Sequence, residues 1–335
     1  MTGLLEIDKD PGAQWVLRLA RDSPGLFGRG GGRKVAALKE PQTASHDSRI
    51  YEVDGVKVHV KFFRRTLGRT GVTYDPCREM KAEYAVLKEY ERSGFTSGRY
   101  QVAQALGINE EAGCALATRY VDGLSLLSII TEAFTGKRDV ADMYAGLELA
   151  AGLLKKIHTV MPQGPCVDHC EMFYSQLRAM IYLEDQRALD GYHRRLTKGH
   201  ARWYGYRPLF EQPGVTVHGD ANPSNFKVGR GVIYAFDMER SRPGRSACVD
   251  LGSIAAELIH HSAHLGGDPG KAKPFIDHFL RAYEPGEKAR KRIERVLPFY
   301  ISRSLLKIAS LGYWNPSYRQ FLVEQGTRQI EVLRA

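Results

Sequence analysis

Residues 218–239 read HGDANPSNFKVGRGVIYAFDME and gather chemically able side chains into a short span. His218, Asp220 and Asn225 fall within eight positions, a turn and an apolar run follow, and the run ends on Asp237-Met238-Glu239. Oxygen-bearing side chains brought to one place beside a strand suit a hard divalent cation and the phosphates that travel with it. The elements around them decide whether they converge.

Those elements fall into two groups. Strand character arrives in three pulses, 34–39, 49–53 and 56–63, and Asp54-Gly55 between the last two is a strong hairpin signal. In the third pulse Val56, Val58 and Val60 alternate with Lys57, His59 and Lys61, the pattern of one buried and one polar face. The polar stretch 41–48, PQTASHDS, reads as a hairpin tip whose backbone N–H groups and hydroxyls can cover phosphates. From Pro76 the period becomes helical, with Met80, Tyr84, Leu87 and Glu91 along one side and Glu79 and Glu83 four apart on one face. Two short strands, 100–106 and 114–120, lead to Val121-Asp122-Gly123, where a lobe boundary is expected. The remainder is mostly helical, including 142–159 and a long basic region over 287–333. The glycine-rich run 25–33 lacks the Gly-Lys-Ser/Thr of a phosphate loop and has no strand before it, so it reads as a connector.

Composition sets the bounds. The 335 residues, 43% hydrophobic and 26% charged, suit an ordinary globular chain of two lobes rather than a disordered one. Forty-eight Lys and Arg against 38 Asp and Glu leave a net charge of +10, which favours anionic partners without choosing among them. Five scattered cysteines argue against a disulfide framework and for a reducing compartment. Cys166-Val-Asp-His-Cys170 lacks the second ligand pair of a structural zinc site. The first twenty residues show no uninterrupted apolar core, and no stretch approaches the length of a membrane span. A cytoplasmic chain, at most peripheral to a membrane, is expected.

His218-Gly219-Asp220 followed by Asn225, then Phe236-Asp237-Met238-Glu239, resembles the catalytic and metal loops of the protein-kinase-like small-molecule phosphotransferases. That group includes aminoglycoside phosphotransferases, choline and fructosamine kinases and lipopolysaccharide core sugar kinases, and the likeness runs over roughly residues 34–258. It implies an α+β, protein-kinase-like two-lobe fold. Residues 1–33 would be an extension and connector, 34–120 a small antiparallel-sheet lobe for the nucleotide, and 121–335 a larger, mainly helical lobe for catalysis and the acceptor. It also implies transfer of the γ-phosphoryl group of ATP, with Mg2+, to a small-molecule hydroxyl.

The resemblance carries over by residue. Asp220 would receive or orient the acceptor hydroxyl, Asn225 and Asp237 would hold magnesium, and Glu239 stands second to them as a cation ligand. Lys61 resembles the lysine that holds the α- and β-phosphates, with Lys57 as its rival. Glu83 matches the glutamate that pairs with that lysine, with Glu79 as the alternate. Residues 117–123 resemble the connector that meets adenine, which puts Thr118 and Tyr120 beside the base, and Gly123 would let the chain bend. Ser45, His46 and Ser48 would cover the phosphates, although this loop has no glycine. Asp250 resembles the family's brace of the catalytic loop and His218 a packed part of that loop. His158, His260, His261 and His264 read as helix-face residues.

The acceptor is written less clearly. Residues 164–213 are rich in aromatic and basic side chains, among them Arg187, Arg195, Trp203 and Tyr204, which suit a ring-bearing or anionic acceptor and equally suit a solvated surface. Amine acceptors would call for acidic surroundings, whereas this chain is basic. Residues 60–65, ahead of the Glu83 helix, resemble lipopolysaccharide core kinases, so a sugar or glycolipid hydroxyl is expected, with contact to an anionic membrane as a corollary and no nucleic acid partner. Two other classes stand beside this one. A protein or tRNA-modification-associated kinase would carry Asp-Phe-Gly where Asp237-Met238-Glu239 stands. A silent nucleotide-binding scaffold would not need Lys61, Asp220, Asn225 and Asp237 together.

Overall fold

Asp10-Pro11 opens a helix inside the stretch expected to be an extension. Pro11 presets the backbone at the first helical position, and the Asp10 carboxylate accepts from Gly12 N–H at 3.0 Å, so α1 (Pro11–Asp22) is capped by its own sequence. The computed structural model describes residues 10–27, 35–39, 47–63, 75–164 and 169–333. Ser45, His46 and Cys166 lie outside them. The chain forms two compact units: one runs through Gly123 and takes back Tyr234–Glu239, and the other holds Leu124–Ile233 and the chain from Arg240 onward.

In the first unit α1 and α2 (Pro24–Phe27) precede β1 (Val35–Lys39), β2 (Asp47–Val53) and β3 (Val56–Phe62). Then come α3 (Pro76–Arg92), β4 (Tyr100–Val102), β5 (Ala105–Asn109) and β6 (Ala115–Arg119). Five strands make an antiparallel sheet in the order β1-β2-β3-β6-β5. Asp54 and Gly55 turn β2 into β3 with φ of 50° and 83°, the left-handed pair that a two-residue hairpin requires, and this sets Ser48 opposite Lys61.

The alternation in β3 then separates two faces. Val58 and Val60 are fully buried with Tyr51, Ala115 and Ala117 against Ala13, Val16 and Ala20 of α1, each such valine contributing about 1.5–3 kcal/mol. His59 and Lys61 lie on the other face, opposite Thr118 and Leu116. Asp10 ties α1 to the sheet, accepting from the Tyr51 hydroxyl at 2.8 Å and facing Arg49 at 3.1 Å. At Gly12 any Cβ would lie 2.5 Å from that hydroxyl, so the close approach of helix and strand needs glycine.

Helix α3 buries Met80, Glu83, Leu87 and Tyr90, a stripe one position away from the expected Tyr84 and Glu91. A glutamate takes the inward place because a lysine meets it there. Cys77, in the first turn of α3, forms a disulfide with Cys114 beside β6, with Cα atoms 4.9 Å apart. Five free thiols are therefore not what the structure holds, although one bridge is not a framework; Cys170 and Cys248 are free.

The second unit begins with β7 (Leu124–Ser125), α4 (Leu126–Phe134) and α5 (Val140–Val160), then α6 (His169–Asp185), α7 (His193–Tyr204) and α8 (Arg207–Phe210). It continues through β8 (Val215–Val217), β9 (Phe226–Gly229), β10 (Val232–Ala235), whose Tyr234 and Ala235 already belong to the first unit, and β11 (Arg242–Arg245), and closes with α9 (Cys248–Gly266), α10 (Lys273–Tyr283), α11 (Glu287–Ala309) and α12 (Pro316–Ile330). The expected basic helical region is thus two helices, broken where Asn315 caps α12 by accepting from Tyr318 N–H at 2.9 Å.

Helix α9 is buried almost end to end, and α11 lies so close to it that a Cβ on Gly252 would stand 2.5 Å from the Tyr300 Cβ. Strands β8 and β11 pair antiparallel on either side of the His218–Glu239 segment, and β9 pairs with β7. Strand β10 carries the chain back toward the first unit, where Ala103 N–H donates to Ala235 at 2.9 Å. Small antiparallel-sheet unit and larger helical unit make an α+β, two-lobe architecture. No helix among the described residues is long and apolar enough to cross a membrane.

Candidate active site

Within the first unit, Lys61 gathers the acidic side chains. Its Nζ donates to Glu83 Oε2 at 2.9 Å, to Asp237 Oδ1 at 2.7 Å and to Glu239 Oε2 at 3.1 Å, one partner for each ammonium proton. Glu83, not Glu79, is the helix glutamate in contact. Lys61 and Glu83 are both buried, although Lys61 stands on the polar side of its strand, because α3 covers that side. Desolvation opposes the charge on Lys61, but attraction from Glu83, Asp237 and Glu239 outweighs it and raises the lysine pKa. Desolvation also raises Glu83, against the pull of Lys61.

One ammonium thus faces three carboxylates, and ligand atoms of Glu83, Asp237 and Glu239 lie within 4.8 Å of one another. Hard oxygen donors at this spacing suit a divalent cation. Asp237 itself sits at φ 61°, a left-handed conformation that aspartate tolerates better than most residues, and it marks the sharp turn after β10.

The other sheet-face residues are less committed. Ser48, opposite Lys61, has a buried hydroxyl without a hydrogen-bond partner among the described residues. Thr118 lies opposite His59 in β6, while Tyr120 N–H already donates to Lys57 O at 3.0 Å. Lys57 pairs with Asp122 at 3.0 Å in an exposed setting and takes no part in the carboxylate cluster. Gly123, with φ 147°, ends the unit in a conformation that favours glycine.

The second unit builds the loop around Asp220. Asp250, fully buried in the first turn of α9, accepts from His218 N–H at 2.7 Å and Gly219 N–H at 2.9 Å. His158, at the end of α5, contacts Asp250 Oδ2 at 3.0 Å through Nε2 and the Tyr283 hydroxyl at 2.8 Å through Nδ1. His158, expected on a helix face, is instead buried, and it holds the aspartate that holds the loop. Gly219 needs its φ of 83°, and a Cβ there would fall 2.2 Å from the Arg240 carbonyl oxygen. His218 is fully buried against Phe226, and its Nδ1 accepts weakly from Asp220 N–H at 3.3 Å. Asn225 donates its amide to Asp220 O at 2.9 Å, which leaves Oδ1 as the atom able to meet a cation.

Around Asp220 the charge is reversed. Lys307 of α11 donates to Asp220 Oδ1 at 2.7 Å, and no feature of the loop sequence announces it. Burial opposes ionisation of Asp220, but Lys307 and then Arg240 outweigh it and hold the carboxyl below its ordinary value. Arg303, one turn before Lys307, feels both Asp220 and Arg240; burial pushes its guanidinium down to about 10, and its Nε is buried without a hydrogen-bond partner among the described residues. A cavity of about 50 Å³ beside Asp220 is lined by Asn222, Ser253, Glu257, Ser304 and Lys307.

The region expected to read the acceptor is partly structural. Trp203 is buried and donates to Ile330 O at 2.9 Å, and Arg195 pairs with Glu331 at 2.8 Å. Of the α9 histidines, His260 is buried, and burial with His261 and His264 beside it pushes its pKa down to about 3.

A family model described as the phosphotransferase enzyme family matches residues 43–293. Among solved structures, an ethanolamine kinase of Plasmodium vivax is 11% identical, with a TM-score of 0.58 over 99% of this chain and 95% of that one. The streptomycin–ATP ternary complex of APH(2")-IIa is 14% identical, with a TM-score of 0.55 over 90% of this chain and 92% of that one. A putative fructosamine-3-kinase from Thermobifida fusca is 20% identical, with a TM-score of 0.52 over 89% and 94%. At such identities the likeness is one of fold. No curated protein matches the chain in sequence. Since the family model spans well over half of the 335 residues, the chain belongs to the phosphotransferase enzyme family, with that family's protein-kinase-like fold and transfer of phosphate to a hydroxyl.

Proposed function

We propose that the protein transfers the γ-phosphoryl group of ATP, with magnesium, to a hydroxyl of a sugar or glycolipid. The observation that carries this reading is that Lys61 holds Glu83, Asp237 and Glu239 together, with carboxylate oxygens within 4.8 Å of one another that a divalent cation brought with a nucleotide would share with it. Asp237 and Glu239 offer the hard oxygens that magnesium prefers, and Asn225 Oδ1, left open by the amide's bond to Asp220 O, would be a further ligand. When bound, that ion would neutralise charge developing on the transferred phosphoryl group.

The roles of the chain's own residues follow from their surroundings. Lys61, anchored by Glu83, would bind the α- and β-phosphates. Ser48, with Ser45 and His46, would cover them, and Thr118 and Tyr120 would lie along the base, so that 34–120 serves the nucleotide and 121–335 the acceptor. Asp220, kept ionised by Lys307, would orient the acceptor hydroxyl and take up its proton. The cations around Asp220 favour an acceptor that is polyhydroxylic or anionic over an amine, and the net charge of +10 supports approach to an anionic lipid surface if the acceptor is a glycolipid.

The test is ADP release with ATP or GTP, with and without MgCl2, over neutral sugars, sugar acids, glycolipid headgroups, aminoglycosides and amino alcohols. A sugar or glycolipid acceptor should give turnover that Asp220→Asn lowers about 10²–10⁴-fold. Turnover confined to amine-bearing acceptors would contradict the acceptor class, and full turnover in Asp220→Asn would contradict its role.

A further inference from the structure

A second constellation lies on α9, among residues the phosphoryl-transfer reading does not use. Glu257, His260 and His261 follow one another at i, i+3 and i+4, so a carboxylate and two imidazoles come to neighbouring positions on the helix. One ligand atom from each lies within 4.8 Å of the others. His261 Nε2 stands 3.3 Å from Glu257 Oε2. Two ligands of a tetrahedral zinc, with bonds of about 2.1 Å, stand about 3.4 Å apart, so this pair already has a suitable spacing. Glu257, one turn earlier on the helix, supplies the carboxylate to these two histidines.

Tyr318 decides which nitrogen of His260 carries a free lone pair. Its hydroxyl donates to the His260 carbonyl oxygen at 3.0 Å, and a phenol has one proton to give. At the 2.7 Å contact between that hydroxyl and His260 Nδ1, the ring N–H must therefore be the donor. The lone pair falls on Nε2, and the ring is held in place from its far side, which is how metal-binding histidines are commonly oriented. His261 Nδ1 is buried with no hydrogen-bond partner among the described residues. His260, His261 and His264 line a cavity of about 320 Å³ together with Glu132 and Trp314, which gives solutes a route to the rings.

We propose that Glu257, His260 and His261 bind a divalent transition metal, zinc foremost, with His264 or water completing its coordination. Two imidazoles and a carboxylate select zinc, nickel or copper over magnesium, so this site and the oxygen cluster around Lys61 take different ions. The metal also braces the loop of Asp220, because Glu257 Oε1 accepts from Asn222 Nδ2 at 2.8 Å.

The untagged full chain, in excess MgCl2 to fill oxygen-only sites, is titrated with ZnCl2 by calorimetry and with CoCl2 by visible absorption. One equivalent of zinc should bind, and zinc should displace a tetrahedral cobalt spectrum that lacks a thiolate charge-transfer band. Tyr318→Phe should weaken zinc binding about 10–100-fold, as loss of an orienting partner does, and His261→Asn at least as much, with circular dichroism unchanged. Because the spectrum is read on the unaltered chain, the outcome does not depend on a variant folding. No binding tighter than millimolar, a thiolate band pointing to Cys166 and Cys170, or zinc affinity unchanged in both His261→Asn and Glu257→Gln would each overturn the proposal.

Discussion

The Lys61 cluster and the Asp220 loop are opposites in charge. In the first, one buried ammonium is divided among three carboxylates; in the second, one carboxylate answers to Lys307, Arg240 and the buried Arg303. On the proposed function, the first would take the metal and the nucleotide it accompanies. The second would take the acceptor, with its carboxylate held ionised by the cations beside it. The proposed phosphoryl transfer thus has two halves that differ in the charges each gathers.

The largest effect on stability is expected from breaking the first cluster. Lys61→Met leaves Glu83 buried without its counter-ion, and loss of one partner from a buried pair costs about 3–5 kcal/mol, read by chemical denaturation. If these carboxylates take a cation, MgCl2 should restore part of the lost melting temperature in Lys61→Met and add less to the unaltered protein. Next comes the brace of the second cluster. Asp250→Asn keeps one acceptor oxygen and strands one of the two loop N–H groups, at about 1–3 kcal/mol for a buried donor left unpaired, and turnover should fall with stability.

A smaller effect tests the reversed charge itself. Asp220 has a lowered pKa, so its stabilising, ionised form is present above the unfolded value and is lost only as pH falls through the lower folded value. The acid limb of the kcat/KM profile should therefore lie below the usual carboxylate range. Lys307→Met should move that limb to higher pH while changing stability little, because the lysine is half exposed. An unmoved limb would mean that Lys307 does not set the state of Asp220. The smallest effect is expected at Lys57, whose exposed pair with Asp122 touches neither cluster; Lys57→Ala should stay within about 0.5 kcal/mol and leave nucleotide binding intact.

What could be read from sequence divides along the same line. The Asp54-Gly55 hairpin, the alternation in β3 and the helix bearing Glu83 are local patterns, and together they put Lys61 and its glutamate within reach. Asp237 and Glu239 could be joined to them only through the family resemblance. Lys307 is 87 positions from Asp220, and His158 is 92 from Asp250, so no periodicity links either pair. Helix α1 is a different case: its Asp-Pro start and the spacing of Ala13, Val16 and Ala20 were legible signals that the neighbouring glycine-rich run obscured. The disulfide between Cys77 and Cys114 depends on α3 lying over the β5–β6 hairpin, which spacing alone does not reveal.

The most direct test is calorimetric titration of Asp237→Ala and Asp220→Asn with MgATP. The charge contrast predicts that Asp237→Ala loses magnesium-dependent nucleotide binding while Asp220→Asn keeps close to the original affinity. Equal affinities in the two variants would contradict the division between a nucleotide cluster and an acceptor carboxylate.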